Sequence, residues 1–163
     1  MGAGKTTVGR VLASELNWEF TDLDDLVIAR EGRAIADVFR VSGETHFRKV
    51  ETECLRDLLR GRPERMVIAL GGGAIVQKAN AAMIGEAGIP VAFLDAAPEV
   101  LLARCAPEGA TRPLLANENQ FRQLYEARRD SYMSAGVRIE TASLSPLQVA
   151  ESIIRRLDLR GHN

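Results

Sequence analysis

The chain lacks the features that mark secreted, membrane and nucleic-acid-binding proteins. Its two cysteines, Cys54 and Cys105, do not have the spacing of a metal site or a disulfide framework, so we expect a reduced, cytoplasmic compartment. No apolar run approaches the roughly 18 residues of a membrane span, and no signal peptide is recognisable. The net charge of −1 provides no broad positive field for nucleic acid or a membrane surface. Any cationic site must therefore be local.

What remains is an ordinary globular composition. The 163 residues are 46% hydrophobic and 26% charged, and the chain has no internal repeats or low-complexity tracts. This length predicts a single domain over residues 1–163, large enough to bury most of its apolar surface. We expect a monomer.

The first residues contain the end of a phosphate-binding loop. Gly4-Lys5-Thr6 matches the last part of the P-loop pattern G-x-x-x-x-G-K-[ST]. Glycines let successive N–H groups turn towards phosphate oxygens, and the helix that follows directs its positive end at the same anion. Lys5 would reach the β- and γ-phosphates, and the Thr6 hydroxyl would bind Mg²⁺. The predicted nucleotide-binding residues here are Gly2, Ala3, Gly4, Lys5, Thr6 and Thr7.

The same segment has two other possible interpretations. It could be only a glycine-rich start, or the myristoylation pattern M-G-x-x-x-[ST]. A P-loop requires a helix directly after it, and apolar residues at helical spacing follow at once, namely Val8, Val11, Leu12 and Leu16. The helical spacing favours the P-loop.

The rest of the chain alternates between strand and helix patterns. The predicted strands are 18–21, 66–70, 91–94 and 137–141. The predicted helices are 5–16, 24–30, 34–41, 44–60, 77–86, 98–105 and 120–132, with a last helix beginning at Ser145-Pro146. Alternating elements of this kind predict an α/β fold with a parallel sheet covered by helices on both faces.

Polar segments follow the predicted strands at the edge where such sheets bind ligands. Asp22 and Asp24 come directly after the first strand, and Gly71-Gly72-Gly73 follows the second. Together with the P-loop they could form a two-substrate phosphotransfer site. The alternative for the acidic run 22–25 is a solvated helix N-terminus, which is the interpretation we give Asp25.

These motifs, taken in order, resemble those of the shikimate kinase family over nearly the whole chain. The resemblance rests on the P-loop, the F-x-D-x-D segment at 20–24, G-E-x-x-F-R-x-x-E at 43–51, the glycine triplet, a lid motif at 112–115 and R-x-x-x-Y at 128–132. Each motif is weak alone, whereas six in order are specific. The resemblance implies a P-loop kinase that transfers the γ-phosphoryl group of MgATP to the 3-hydroxyl of shikimate, in the pathway to chorismate and aromatic amino acids.

The resemblance also implies roles on the shikimate side. Arg48 and Arg128 would bind the carboxylate, for which a guanidinium fork is matched in shape. The alternative for Arg48 is a surface arginine on an amphipathic helix. Asp24 would bind the ring hydroxyls and accept the proton of the attacking one. The backbone of Gly71, Gly72 and Gly73 would approach the ring. The shikimate-binding helices would span about 24–60.

On the nucleotide side, Asp22 would act near Mg²⁺ together with Thr6. Lys5 and Arg112 would stabilise the transferring phosphoryl group, with Arg112 on a lid at about 105–119. Arg104 and Pro146 match positions that flank adenine, although Pro146 is also simply a favourable helix start.

The chain departs from the family pattern in two places. The first glycine of the P-loop would lie two positions before Met1, and the strand that precedes it would be absent. We attribute this to a start codon assigned too late; the alternative is a true truncation, which would put activity in doubt. In the family's 2-3-1-4-5 sheet this strand is central, so we expect a gap between 66–70 and 91–94. Leu70 stands where a threonine often precedes the glycines, a change that the end of a buried strand should tolerate.

Two alternative functions remain open at this point. One is a kinase for another small hydroxylated acid such as gluconate. The other is a regulatory domain that responds to shikimate or a nucleotide. The retained Lys5, Asp24 and Arg112 argue against a purely sensing role, and the arginine pair favours a ring acid.

Overall fold

The computed structural model describes residues 2–61, 64–105 and 118–160. The predicted lid at about 105–119, with Arg112, lies almost entirely outside this range. The elements in chain order are α1 (Lys5–Leu16), β1 (Glu19–Asp22), α2 (Leu23–Glu31), α3 (Ile35–Arg60), β2 (Met66–Ala69), α4 (Lys78–Glu86), β3 (Ala92–Asp95), α5 (Pro98–Cys105), α6 (Glu118–Ala135), β4 (Val137–Glu140) and α7 (Pro146–Arg156). None of these helices combines the length and apolar character of a membrane span.

The elements agree closely with those predicted. Helices α1 and α5 have the predicted bounds, and the other elements differ by a few residues at their ends. The predicted helices 34–41 and 44–60 form the two segments of α3. The two segments meet at Gly43, whose φ of 81° and ψ of 168° are not helical. Because this conformation is open mainly to glycine, Gly43 lets the chain bend between them.

The last helix begins as its sequence predicts. Ser145 is the N-cap of α7 and Pro146 occupies the first turn. The Ser145 hydroxyl accepts from the Gln148 N–H, and the Gln148 side chain accepts from the Ser145 N–H, which completes a capping box.

The strands form two separate parallel pairs. β1 pairs with β2, from Glu19 opposite Met66, and β3 pairs with β4, from Ala92 opposite Val137. No described strand joins β2 to β3. Between them lies a mainly apolar cavity of about 400 Å³, hereafter the cleft, which both strands line. The gap predicted between 66–70 and 91–94 is confirmed.

The cleft changes the burial of the strands beside it. The sequence predicts buried strands at 66–70 and 91–94, but Met66, Val67 and Ile68 are only partly buried, as are Ala92 and Phe93. A central strand of a parallel sheet is normally covered on every side. Here the edges that face the cleft have no neighbouring strand among the described residues.

Two apolar clusters hold the elements together. One packs α1 and α7 against β3 and β4 and includes Leu12, Leu94 and Ile139. The other lies among α2, α3 and α4 and includes the fully buried Leu23 and Val27. The second cluster holds in place the part of α3 that carries Arg48.

Candidate active site

The P-loop ends in a helix N-terminus suited to an anion. Gly4 is the N-cap of α1 with a φ of 79°, and no side chain caps the helix. The first N–H groups of a helix lack partners within it and carry partial positive charge. Lys5 is half-buried beside them, and Thr6 and Thr7 are exposed. The N-terminus of α1 at Gly4 is therefore not capped by a side chain and is open to an anion.

Asp22 connects the P-loop to the end of β1. The Thr6 hydroxyl donates to Asp22 Oδ2 at 2.7 Å, and the other oxygen, Oδ1, accepts from the Asp24 N–H at 3.1 Å. Asp22 is thus the N-cap of α2, and Asp25 is exposed. Asp25 matches the solvated-terminus interpretation. Asp22 caps the same helix and in addition contacts Thr6, the residue predicted to bind Mg²⁺.

The first residue of the glycine triplet lies beside two carboxyl groups. A Cβ added to Gly71 would lie 2.7 Å from Glu51 Oε1 and 2.8 Å from Asp24 Oδ1. Both carboxyl groups therefore face the Gly71 backbone, and no larger residue fits without moving them. Asp24 comes from α2 and Glu51 from α3, so this contact brings two helices to the end of β2.

The other two glycines lie beside cationic and phenolic groups. A Cβ on Gly73 would overlap the Arg48 guanidinium, and one on Gly72 would lie 3.6 Å from Arg128 Nη1 and 3.7 Å from the Tyr132 hydroxyl. That hydroxyl donates to the Gly72 carbonyl oxygen. The triplet thus collects predicted shikimate-binding residues from three helices.

Arg48 is held in place rather than free on the surface. Its side chain is 18% exposed, its Nη1 donates to Glu51 Oε2 at 2.8 Å, and its Nη2 donates to Glu44 Oε1 at 3.2 Å. Its guanidinium carbon lies 5.0 Å from the centre of the Phe47 ring. Arg48 is therefore a partly buried, hydrogen-bonded arginine and not a freely solvated one.

Burial changes the acidity of two groups at the site. Burial raises the pKa of Glu51, and the nearby Asp24 carboxylate raises it further, while Arg48 and Arg128 act in the opposite direction. Burial likewise raises the pKa of Tyr132, against the effect of Arg128. Tyr132 is therefore a hydrogen-bond donor at neutral pH.

Three residues of this site had no role in the sequence-based prediction. Glu51 and Tyr132 end the motifs G-E-x-x-F-R-x-x-E and R-x-x-x-Y, so their spacing three and four residues after an arginine was an available signal. Gln77 donates to Glu51 Oε2 at 2.8 Å, and nothing in its sequence context marks it.

The predicted adenine-side residues lie on neighbouring segments. Arg104, at the end of α5, donates to Thr141 Oγ1 at 3.2 Å and to the Thr141 carbonyl oxygen at 2.9 Å. Thr141 begins the turn that leads to Pro146 at the start of α7. Arg104 thus fixes the turn that carries Pro146, while Arg112 lies outside the described residues.

Comparison with known proteins decides the family. The family model described as shikimate kinase matches residues 1–158. The chain belongs to the shikimate kinase family. It is 40% identical to the shikimate kinase of Geobacter sulfurreducens over 94% of this chain and 84% of that protein. It is 41% identical to that of Symbiobacterium thermophilum over 99% and 94%.

Solved shikimate kinases share the fold. Shikimate kinase from Acinetobacter baumannii in complex with shikimate gives a TM-score of 0.90 at 34% identity, over 100% of this chain and 91% of that one. The enzyme from Aquifex aeolicus gives 0.84 at 34% identity, over 99% and 94%. The predicted P-loop kinase fold and the predicted activity, phosphorylation of shikimate by ATP, are confirmed. The gluconate-kinase and regulatory-domain alternatives are not favoured.

Proposed function

We propose that this shikimate kinase transfers the γ-phosphoryl group of MgATP to the 3-hydroxyl of shikimate at the site between the P-loop, the end of β1 and the glycine triplet. The observation that carries the proposal is the hydrogen bond from Thr6 to Asp22. It joins the phosphate-binding loop to the segment that carries Asp24. Asp24 in turn faces Gly71, so the nucleotide and acceptor sides adjoin.

The acceptor side suits a carboxylic acid with hydroxyl groups. Arg48 and Arg128 approach the triplet from α3 and α6, and two guanidinium groups can bind one carboxylate at several points. The absence of side chains on Gly71 and Gly73 lets the Asp24 carboxylate and the Arg48 guanidinium lie close against the backbone, where the acceptor would bind. We assign the carboxylate to the arginines and the ring hydroxyls to Asp24.

Asp24 is the general base of the proposed reaction. Its carboxylate takes the proton of the attacking 3-hydroxyl, as the aspartate of a kinase catalytic loop does. Lys5 neutralises charge on the β- and γ-phosphates. Arg112, on the predicted lid at about 105–119, lies outside the described residues, and its proposed role is to place a positive charge beside the transferring phosphoryl group.

The residues present fit Mg²⁺ held mainly by the nucleotide. Thr6 and Asp22 supply the hydroxyl and carboxylate oxygens that this ion prefers. The described residues contain no group of three or more acidic, histidine or cysteine side chains that could enclose a metal. Thr6 would hold the ion, and Asp22 would act through water. When bound, Mg²⁺ neutralises charge on the phosphate oxygens.

Adenine would lie between Arg104 and Pro146. A single domain over 1–163, a monomeric state and a cytoplasmic location remain predictions, the last of which rests on cysteine usage. Gel filtration with light scattering would test the monomer.

A coupled assay of ADP release tests the function. We expect ADP formation that depends on shikimate and Mg²⁺ and gives one phosphorylated product, with the phosphoryl group on the 3-oxygen by ³¹P NMR. Gluconate should give no release above background. Turnover with gluconate but not with shikimate would contradict the proposal.

Substitution of Arg48 tests the acceptor side. Arg48→Ala should raise the KM for shikimate about 10- to 100-fold, because hydrogen bonds to charged groups contribute about 1.5–3 kcal/mol. Arg48→Lys keeps the charge beside Glu51 but loses the fork, and should give a smaller increase. The KM for ATP should not change.

Arg60→Ala is the matched control for Arg48, because Arg60 lies on the same helix with a side chain 74% exposed. Its kinetics should equal those of the unaltered enzyme. Equal increases in both KM values for the Arg48 variants would make Arg48 a structural residue only.

A further inference from the structure

Gln77 occupies a position where its side chain is not used for local structure. It is the N-cap of α4, a place that usually favours serine, threonine, aspartate or asparagine, and its side chain makes no capping hydrogen bond. Instead its Nε2 donates to Glu51 Oε2 at 2.8 Å. The Thr52 hydroxyl lies 3.4 Å from Gln77 Oε1 as a weak donor, which orients the amide with its NH₂ group towards Glu51.

Glu51 receives both of its donors on one oxygen. Its side chain is fully buried, and Oε2 accepts from Arg48 Nη1 and from Gln77 Nε2, each at 2.8 Å. The other oxygen, Oε1, has no hydrogen-bond partner among the described residues and faces Gly71. Two donors from different directions determine how the Glu51 carboxyl group is turned, and one of them is Gln77.

The orientation of Glu51 determines that of Arg48. The other partner of Arg48 is Glu44, whose side chain is 60% exposed, so its interaction is screened by solvent. Glu51 is the buried partner, and its hydrogen bond, at 2.8 Å, is shorter than the two that Arg48 Nε and Nη2 donate to Glu44 Oε1, at 3.3 and 3.2 Å. The Arg48 guanidinium is therefore anchored from the Glu51 side, next to Gly73.

We propose that Gln77 is a positioning residue for substrate binding, which acts through Glu51 to hold the Arg48 guanidinium in the geometry that receives the shikimate carboxylate. The inference rests on the proposed role of Arg48. Gln77 lies six residues after Gly71, so the segment that approaches the ring also orients the group that binds the carboxylate.

Gln77→Met tests this relay, because methionine has a similar volume and no hydrogen-bonding amide. We expect the KM for shikimate to rise roughly 3- to 10-fold, the effect of one net hydrogen bond. The kcat should stay within about twofold and the KM for ATP should not change. Gln123→Met, the same substitution at an exposed position of α6, is the matched control and should leave all three parameters unchanged.

A double-mutant cycle with Arg48→Lys then tests the route of the effect. If Gln77 acts through Arg48, Gln77→Met should raise the shikimate KM much less in the Arg48→Lys background, where the fork is already lost. Additive effects, an unchanged KM in Gln77→Met, or equal changes in kcat and both KM values would overturn the relay. If Arg48→Lys and Arg48→Ala both leave the shikimate KM unchanged, the proposed role of Arg48 fails, and the relay fails with it.

Discussion

Asp24→Asn is expected to lower kcat by about 10²- to 10⁴-fold, the usual contribution of a general base. The amide keeps the size of the side chain and can still bind a ring hydroxyl, but it cannot accept the proton of the attacking oxygen. MgATP binding should persist, because the P-loop contact from Thr6 goes to Asp22 and not to Asp24. Steady-state kinetics and nucleotide titration would separate the two effects.

The neighbouring carboxylate provides a matched control for this substitution. Asp25 lies on the same helix turn as Asp24 but is exposed. Asp25→Asn removes the same charge from the helix N-terminus and should leave kcat within about twofold, since such an exposed charge contributes only about 0.3–1 kcal/mol. Near-normal kcat in Asp24→Asn, or an equal loss in both variants, would remove Asp24 from the role of base.

Filling the cleft between β2 and β3 is expected to stabilise the enzyme strongly. We expect an added N-terminal segment of about six apolar, mainly β-branched residues to raise the Tm by about 5–10 °C. For a chain of this size, that rise corresponds to a few kcal/mol in the free energy of unfolding. The strand would pair with β2 on one side and β3 on the other, with each net hydrogen bond contributing about 0.5–1.5 kcal/mol. It would also bury apolar surface in a cavity of about 400 Å³.

The cleft also adjoins the nucleotide site, so the same addition should affect function. Ala3 and Lys5 of the P-loop line the cleft. A strand in the cleft would pack against the P-loop and hold its backbone in place. We therefore expect tighter ATP binding as well as the higher Tm. Without such a strand, we expect residues 1–163 to be marginally stable and prone to aggregate, because the total stability of a domain is only about 5–15 kcal/mol.

An extension of the same length with a central proline is the control, because proline cannot complete the hydrogen-bond ladder. It should give neither the higher Tm nor the tighter nucleotide binding. Equal melting temperatures for the two extensions, together with full activity and a cooperative melt for residues 1–163 alone, would show that the cleft has little energetic importance.

Much of the fold could be predicted because local signals were strong. The apolar spacing of Val8, Leu12 and Leu16 specifies α1, and the capping box of Ser145 and Gln148 specifies the start of α7. Each of these signals comes from residues that lie within about two helical turns of one another. The break between the predicted helices 34–41 and 44–60 is present as well, at Gly43, whose φ of 81° lies outside the helical region.

The candidate site divides in a similar way. Residue types with a characteristic chemistry at a characteristic spacing, such as Gly4-Lys5-Thr6 and the pair Asp22 and Asp24, could be recognised in the sequence. The hydrogen bond between Thr6 and Asp22 could not, although it spans only 16 positions, because it depends on how α1 packs beside β1.

Local pattern in this chain thus determines the P-loop and the alternation of helix and strand, and the family resemblance adds the two arginines. Tertiary packing alone determines that Glu51 is fully buried, that Gln77 donates to it rather than capping α4, and that all three glycines face different side chains. The reason is that helix propensity and capping act over neighbouring residues, whereas burial and hydrogen bonding between α3 and the loop before α4 exist only after distant segments meet.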